Sequence, residues 1–500
     1  MLDGLLGLGR SIAGFATPDS IFYALLSCLV GVIMGALPGL TATMALALMT
    51  TLTLKLPSGQ ALLILICTYV GAIYGGSRSA ILLNIPGTPA SAASCLDGYA
   101  LARKGLAGRA MGIATTGSVM GTLIGMFFLA AFTPVLGNLA LKFGAYEFFW
   151  LALFGVLIAG TLTGDDPLKG WIAGIAGLFI ATIGQEPQYG FERFSYGVRD
   201  LAGGISLVPA LVGAFGFAEL LCAIRERQAP VTISAFDTVI PRIRDVFQYW
   251  RTILRSGLIG TGVGIVPGVG EDVAAWSSYA AAKRVSKERD QFGKGSVEGL
   301  MAAETGDNAC VPGAVIPVLT LAIPGSAPAA VLMAAMIIHG IKPGPMIMIE
   351  NPGFVYDVVT MMLFATLGIL LYGLILTKAL VQVLRVPQHM LVPIIFVLCA
   401  VGSFAIAGRM FDVYVMLVFG VLGYVMRQFG YPMAPLVLGI VLGDLLEKNL
   451  RRALILSDGD LTPFFTRPIS AVVAAMIFAT IGWKLWSLYR KPRPAAGAHS

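Results

Sequence analysis

The sequence predicts an all-α polytopic membrane protein with broken or re-entrant helices and about 10–12 membrane segments. Hydrophobic residues make up 57% of the 500 residues and charged residues only 12%, with a mean hydropathy of +0.83. Soluble domains carry about 25% charged residues. Glycine–proline breaks also recur at matching places in two halves of the chain. These observations predict two structurally related repeats, for which an inverted arrangement is favoured.

The breaks come in two kinds, and each kind occurs once in each half. G-x-x-P-G occurs at 35–39 and at 264–268, and G-x10-P-G occurs at 75–87 and at 313–325. Proline removes an amide donor and glycine tolerates conformations that end a helix. Broken backbone is tolerated in a membrane only where protein buries it or where it lines a watery cavity. Matching interrupted segments are therefore the best sequence indication of a transporter's binding site.

Apolar segments long enough to span a membrane, or nearly so, follow one another along the chain. They lie at 20–54, 60–96, 110–137, 145–162, 168–184, 203–223, 256–282, 300–340, 355–379, 391–406, 411–427, 433–447 and 466–489. The predicted organisation is an N-terminal membrane repeat at 1–223, a basic cytoplasmic linker at 224–255, a C-terminal membrane repeat at 256–447, and an extra C-terminal span with the tail at 448–500. Residues 207–221 also resemble 433–446, with Glu219 and Asp444 at similar positions.

Basic residues gather in four loops or tails, at 97–109, 224–255, 283–294 and 490–493. The positive-inside rule places all four in the cytoplasm. An odd number of crossings between the two halves would then invert the second repeat relative to the first. The net charge of +7 is explained by this orientation signal, and no basic surface with interleaved aromatic residues suggests nucleic-acid binding.

The residues at and just after the breaks are the predicted substrate-binding residues. A helix N-terminus exposes free N–H groups and about half a positive charge, which suits a carboxylate. The candidates are Gly39, Thr41, Asn84, Pro86, Gly87, Thr88, Ser91, Pro267, Gly268, Pro324, Gly325 and Ser326. The alternative is that the breaks are packing kinks whose hydroxyls bond to backbone, with Asn84 as a simple cap.

Arg78 lies in GGSRSAILLN, just ahead of an apolar run. A charge is costly there and usually functional, and a guanidinium can hold a carboxylate through two hydrogen bonds. Arg78 is therefore a further substrate-binding candidate. The alternative is an arginine at the membrane interface, because Gly75 and Gly76 can mark a helix end.

Acidic residues concentrate in the second half and are the predicted ion-coupling residues. They are Glu271, Asp272, Glu304 and Asp307, together with Asn308. Carboxylates inside a membrane protein typically handle protons or cations, so the coupling cation is Na⁺ or H⁺. No other cofactor, metal site or catalytic residue is predicted. The lone His339 is better explained as a packed interface residue than as a proton relay.

Four long motifs resemble one known family. They read GALPGLTAT, YGGSRSAILLNIPGTPASAASCLDGYALARKGLAGRAMG, GIVPGVGEDVAAWSSYAAAKR and LAIPGSAPAAVLMAAMIIHGIKPGP. Together they are similar to the large permease subunit of tripartite tricarboxylate transporters, the TctA type. The resemblance implies a secondary carrier of the bacterial inner membrane that imports small carboxylates with an ion gradient. It also implies two partners, a small four-span membrane subunit and a periplasmic substrate-binding protein. Asp307 departs from the family, which usually has asparagine there.

Two other functions are compatible with parts of the sequence. A channel or solute exporter also uses related halves with interrupted helices. An intramembrane aspartyl protease needs paired aspartates, which Asp357 after Tyr356 and Glu271 in GVGE match only in part and in the wrong order. The sequence has no G-x4-G-K-S/T motif, so the chain itself supplies no ATPase.

Overall fold

The computed structural model of the chain is almost entirely helical. It describes residues 2–37, 39–162, 166–186, 190–225, 243–375 and 388–490. Pro38 of the first break, most of the predicted linker, the end of the predicted span 355–379 and the last ten residues of the tail lie outside the described residues. Helix accounts for 81% of the structure, which confirms the predicted all-α class.

Twenty-four helices are described. They are α1 (Leu2–Phe15), α2 (Pro18–Ala36), α3 (Ala42–Thr53), α4 (Ser58–Leu83), α5 (Ala92–Ser94), α6 (Ala100–Arg103), α7 (Ala107–Ala140), α8 (Ala145–Leu162), α9 (Pro167–Ala181), α10 (Arg199–Ala202), α11 (Leu207–Leu211), α12 (Ala218–Arg225), α13 (Ile243–Gln248), α14 (Trp250–Ile265), α15 (Gly270–Val285), α16 (Val297–Leu321), α17 (Ala327–Ile338), α18 (Ile347–Glu350), α19 (Phe354–Ile375), α20 (Gln388–Ala407), α21 (Met410–Gln428), α22 (Met433–Leu456), α23 (Thr462–Thr466) and α24 (Pro468–Arg490).

Short irregular elements complete the described chain. Pro89–Ser91 and Arg289–Gln291 form 3₁₀ turns, and Cys95–Tyr99 and Val212–Phe217 form π-helical turns. Two strands of two residues each, Gly184–Gln185 and Glu192–Arg193, pair antiparallel.

Six of the described helices are long and apolar enough to cross a membrane. They are α2, α4, α7, α8, α19 and α21. Six shorter apolar helices accompany them, among them α3 and α17, which have 12 residues each and directly follow breaks. A helix of 12 residues rises only about 18 Å, less than the hydrocarbon thickness of about 30 Å. The chain is therefore a polytopic membrane protein that combines full spans with shorter apolar helices, of which α3 and α17 are about half a span long.

The breaks have the same backbone geometry in both halves. Gly39 and Gly268, which end the first break of each half, have φ of 88° and 71°. Side chains with a Cβ rarely adopt such values, so glycine is required there. In the second breaks the left-handed residue is Asn84 or Ala322, at φ 57° and 56°. Asn84 is therefore the C-cap of α4, and its exposed position supports the capping alternative.

Contacts along α7 establish the direction of the helices around it. Tyr74 of α4 bonds to Thr115, and Arg78 one turn later bonds to Met111, so α4 runs antiparallel to α7. Helix α2 packs parallel to α4, with Gly31 against Thr68. The α2–α3 hairpin therefore enters from the end of the molecule where α7 finishes, which we term the Ala140 end.

The second hairpin enters from the opposite end. Helix α16 runs parallel to α7, because Met301 lies against Gly117 and Pro312 against Gly125. Helix α14 runs parallel to α16, and Ser278 of α15 folds back onto Ser256 of α14. The α14–α15 hairpin thus starts and finishes at the end where α7 begins, the Ala107 end. Opposite directions are what an inverted repeat requires, and the two-fold relation between the halves stays a prediction.

A carboxylate from the first half fastens the N-terminus of α16. Asp97 is fully buried and accepts three hydrogen bonds from the backbone N–H groups of Gly293, Gly295 and Ser296, at 2.7–2.8 Å. The Tyr279 hydroxyl donates a fourth, at 2.9 Å. Residues 97–105 are thus a packing element that joins the two halves at the Ala107 end.

We expect Asp97→Asn to lower the thermal stability of the purified protein. The three N–H groups all donate to Oδ1, so an amide that keeps this oxygen in place loses the acceptor of the Tyr279 hydroxyl and the negative charge that strengthens the other three bonds. Hydrogen bonds to charged groups contribute about 1.5–3 kcal/mol. The check is the melting temperature in detergent, with Asp290→Asn, an exposed aspartate in the neighbouring loop, as the matched control. Equal melting temperatures for the two variants would contradict the fastening role.

Candidate functional site

A cavity of about 180 Å³, the central cavity, lies where the breaks of both halves meet. Its lining includes residues that follow all four breaks. They are Thr41, Ala42, Thr43, Ile73, Thr88, Pro89, Ala90, Phe215, Gly268, Val269, Gly270, Glu271, Asp272, Ala327, Pro328 and Ala434. The structure therefore brings the four breaks together around one cavity.

Helix N-termini face this cavity from both halves. Helix α3 begins after Thr41, whose hydroxyl accepts a hydrogen bond from the Met44 N–H at 3.2 Å. Helix α17 begins after Ser326, which caps it in the same way through Ala329 at 3.3 Å. Helix α15 begins at Gly270. Uncapped N–H groups and the partial positive charge of these N-termini suit an anion.

Glu271 connects the cavity wall to the protein interior. The carboxylate is 5% exposed and accepts a hydrogen bond from the Tyr69 hydroxyl. The Tyr69 hydroxyl also bonds to Ser326, at 2.7 Å. These two hydrogen bonds link α4, α15 and α17, so a substitution at Glu271 affects contacts among three helices.

A second cavity, the side cavity, adjoins the central one and has a volume of about 470 Å³. The two cavities share four lining residues, Thr41, Thr88, Pro89 and Phe215. Phe215, in the π-helical turn Val212–Phe217, is the largest of them. Gly39, Pro86 and Gly87 also line the side cavity. The backbone of the first-half breaks therefore separates the central cavity from the side cavity.

Glu304, Asp307 and Asn308 form with Arg78 a buried charge cluster away from both cavities. The three residues of α16 are 0% exposed and Arg78 is 1% exposed. Glu304 accepts hydrogen bonds from Ser94 at 2.5 Å and from Ser118 at 3.1 Å. The positive charge of Arg78 also acts favourably on the Glu304 carboxylate. The cluster thus joins α4, α7 and α16.

Arg78 lies inside α4, because the helix continues through Gly75 and Gly76 to Leu83. Gly75 and Gly76 therefore do not mark a helix end, and the Arg78 side chain is buried inside the protein. Its guanidinium donates to Met111 Sδ at 2.8 Å and to Thr115 Oγ1 at 3.0 Å, and stacks 4.2 Å from the centre of the Tyr74 ring. Arg78 lines neither cavity. Its position associates it with the predicted ion-coupling residues rather than with the predicted substrate-binding ones.

Several polar atoms in and beside the charge cluster have no hydrogen-bond partner. They are Arg78 Nε, Thr305 Oγ1, Asp307 Oδ2 and Asn308 Oδ1. The other Asp307 oxygen accepts from Asn308 Nδ2 at 2.7 Å. When both carboxylates are ionised, Arg78 balances only one of them, which leaves one negative charge in excess. Unpaired buried charge is unfavourable, so this cluster has the chemistry to take up one more cation.

The remaining predicted residues have structural positions beside the cavities. Ser91 is fully buried and forms a capping box with Thr88. The Pro324 and Gly325 carbonyls accept hydrogen bonds from the N–H groups of Gly268 and Gly270, at 3.2 and 3.3 Å. The two breaks of the second half are thus bonded to each other. Pro267, in the same break as Gly268, is not among the described residues that line either cavity.

Four important residues went unnoticed in the sequence as site residues. Tyr69 binds Glu271, Phe215 divides the cavities, and the paired Glu219 and Arg427 line the side cavity. Tyr69 lies in an apolar run, where a hydroxyl suggests a polar partner. Phe215 and Arg427 offer no local signal, because their positions depend on how distant helices pack.

Two further sequence features lie away from the cavities. His339 is the C-cap of α17 and contacts Thr53 at 3.3 Å, as expected of a packed residue. Asp357 accepts a hydrogen bond from Ser11 at 2.7 Å, whereas Glu271 bonds to Tyr69. The two acids of the protease alternative thus have different partners.

A polytopic helical protein whose broken helices from two halves surround a cavity with threonine and acidic side chains in its wall belongs to the class of membrane transport proteins. The chain is a member of the Tripartite tricarboxylate transporter TctA family, whose sequence pattern matches residues 21–438. It is thus a component of a transport system that has further subunits, and its family is one of transporters.

Two relatives from Agrobacterium vitis are similar to the chain. One, described as an uncharacterized 52.8 kDa protein in the TAR-I ttuC' 3' region, is 36% identical over 482 residues and covers 96% of each chain. The other, an uncharacterized protein in the TAR-II ttuC' 3' region, is 40% identical over 212 residues. That match covers 42% of this chain and 88% of the relative.

Proposed function

We propose that this chain is the permease subunit that imports small di- or tricarboxylates together with Na⁺ or H⁺. The substrate is received from a periplasmic binding protein, and a small four-span membrane subunit completes the complex in the bacterial inner membrane. The basic loops at the Ala107 end are predicted to be cytoplasmic, which supports an orientation with the Ala107 end facing the cytoplasm.

The composition of the central cavity is the observation that supports coupling. Glu271 and Asp272 line it beside several helix N-termini, and none of its described lining residues is basic. Helix N-termini and threonine hydroxyls attract a substrate carboxylate, whereas the two acidic side chains repel it. A cation bound at Glu271 and Asp272 removes that repulsion. An anion therefore binds well only when cations bind with it, which is the physical basis of co-transport.

The membrane potential imposes the same requirement. Moving one negative charge inward against 100 mV is opposed by about 2.3 kcal/mol. A dicarboxylate or tricarboxylate thus needs at least as many cations as it has charges. The buried charge cluster offers a second cation site, in addition to the site at Glu271 and Asp272. Substrate and ion bind together in the central cavity, and an ion alone binds in the buried charge cluster.

Uptake by the complete three-subunit complex in proteoliposomes tests the proposal. We expect saturable uptake of labelled citrate or succinate that requires the binding protein and a sodium or proton gradient. Glu271→Gln should reduce gradient-driven uptake at least tenfold, since the acidic partner of the cation is lost. Glu350→Gln, an exposed glutamate at the end of α18, is the matched control.

The channel or exporter alternative makes the opposite prediction. Flux through a channel does not saturate and needs no ion gradient to proceed down a concentration gradient. An exporter would accumulate the carboxylate only in inverted vesicles. Either result with the unaltered complex would refute import by co-transport.

A further inference from the structure

We propose that Arg427 is a transient carboxylate-binding residue at the mouth of the side cavity, and that Glu219 occupies its guanidinium when no substrate is there. The proposal rests on the proposed carboxylate transport. It adds a second binding step, outside the central cavity, between that cavity and the aqueous phase.

The side cavity has a different charge character from the central one. Among its described lining residues, Arg427 is the only basic side chain and Glu219 the only acidic one. The two form a salt bridge between α21 and α12, with side chains 53% and 14% exposed. Among the described residues that line the two adjoining cavities, Arg427 is thus the one cation, and its side chain is open to solvent.

Tight packing holds the two helices that carry this pair. A Cβ on Gly420 would meet Phe217 at 2.1 Å, and one on Gly423 would meet Ala218 at 2.9 Å. Glycine at these positions lets α21 approach the segment 212–225 closely. Arg427 and Glu219 therefore face each other from backbones with fixed spacing, and the exchange of partners needs only side-chain rotation.

The mouth of the side cavity lies at the Ala107 end. Helix α8 returns the chain from the Ala140 end, so α9 starts at the Ala107 end. Lys169 in the first turn of α9 donates to the Phe429 carbonyl at 2.7 Å, directly after α21 finishes. Arg427 therefore lies on the side predicted to be cytoplasmic, where imported substrate is released.

The chemistry of the exchange is a substitution of one carboxylate for another. A guanidinium binds carboxylates through two parallel hydrogen bonds. Glu219 already provides a carboxylate, so a substrate carboxylate that leaves through the side cavity replaces one carboxylate partner of Arg427 with another. Neither the arginine nor the substrate then passes through an unpaired state. The Phe215 ring separates this step from the central cavity.

Exchange of labelled for unlabelled substrate, measured at each membrane face, tests Arg427. The probe is whichever of citrate and succinate the unaltered complex exchanges faster. We expect Arg427→Gln to raise the half-saturating concentration about tenfold on the face of the Ala107 end only. Arg427→Lys should recover part of this loss, and Glu219→Gln should lower the half-saturating concentration there, because the competing carboxylate is removed.

Arg225→Gln is the matched control, because Arg225 bonds to Gln428 near the same mouth and is not among the residues that line the side cavity. A half-saturating concentration for Arg427→Gln equal to that of Arg225→Gln would overturn the proposal. Equal effects on both faces together with a lowered melting temperature would also overturn the proposal, because they indicate that Arg427 has a purely structural role. Exchange needs no ion gradient. If gradient-driven uptake fails, co-transport is refuted, and the exchange measurement still decides the role of Arg427.

Discussion

Asp307→Asn should reduce the ability of the transporter to accumulate its substrate by about fifty-fold at a membrane potential of 100 mV. The variant removes the negative charge that is in excess in the buried charge cluster, and with it the need for one cation. Each co-transported charge contributes about 2.3 kcal/mol at that potential, and 1.4 kcal/mol is a factor of ten. The measurement is the ratio of internal to external labelled substrate at steady state in proteoliposomes.

Two comparisons make this prediction specific to the cluster. Exchange without a gradient should survive in Asp307→Asn, because the central cavity is untouched. Asp444→Asn, at an exposed aspartate paired with Lys448, should behave like the unaltered protein. An Asp307→Asn variant with the original accumulation ratio and the original dependence on sodium and pH would show that Asp307 binds no coupling ion.

Gly325→Ala should prevent the protein from reaching its folded state. A Cβ at this position would lie 2.0 Å from the Gly264 carbonyl oxygen and 2.7 Å from Ala314 Cα. Both are backbone atoms and cannot rotate away. Overpacking against movable side chains already costs about 1–3 kcal/mol, so we expect more than about 3 kcal/mol here. The measurement is the yield of monodisperse protein in detergent and its melting temperature.

Gly262→Ala is the matched control for this substitution. Gly262 lies in α14, two residues before Gly264, and an added Cβ would meet nothing within 4 Å. Alanine favours a helix over glycine by about 1 kcal/mol, so Gly262→Ala should fold at least as well as the unaltered protein. Gly87→Ala should fail like Gly325→Ala, because its Cβ would lie 2.1 Å from the Gly35 carbonyl oxygen. A normal yield of Gly325→Ala or of Gly87→Ala would contradict the close approach of the backbone segments at these glycines.

The sequence was sufficient for the class of fold and for the position of the breaks. Low charge and long apolar runs predict spans, and a proline–glycine pair marks a helix end whatever the surroundings are. Thr41, Thr88 and Gly268 could therefore be assigned to a cavity from local sequence alone. Glu304 and Asp307 could be grouped because residues three apart share a helix face.

Contacts between distant helices could not be predicted in this way. Arg78 was expected beside the substrate, but its surroundings depend on which faces of α7 and α16 pack against α4. The glycine pair at 75–76 suggested a helix end, yet small residues are required there as well, because Gly75 packs against α2 and Gly76 against Thr88 and Ser91. Pairing of Arg427 with Glu219 joins residues 208 positions apart. One-dimensional patterns contain no information about such long-range partners.

The fastening of Asp97 to the start of α16 has a mechanical consequence. Four hydrogen bonds accepted by one carboxylate hold a segment of the first half against the second half at the Ala107 end. We therefore expect this point to act as a pivot when the protein changes the side to which its cavities open. The half-length helices α3 and α17 would swing through the largest arcs, since they lie beyond breaks and far from the anchored end.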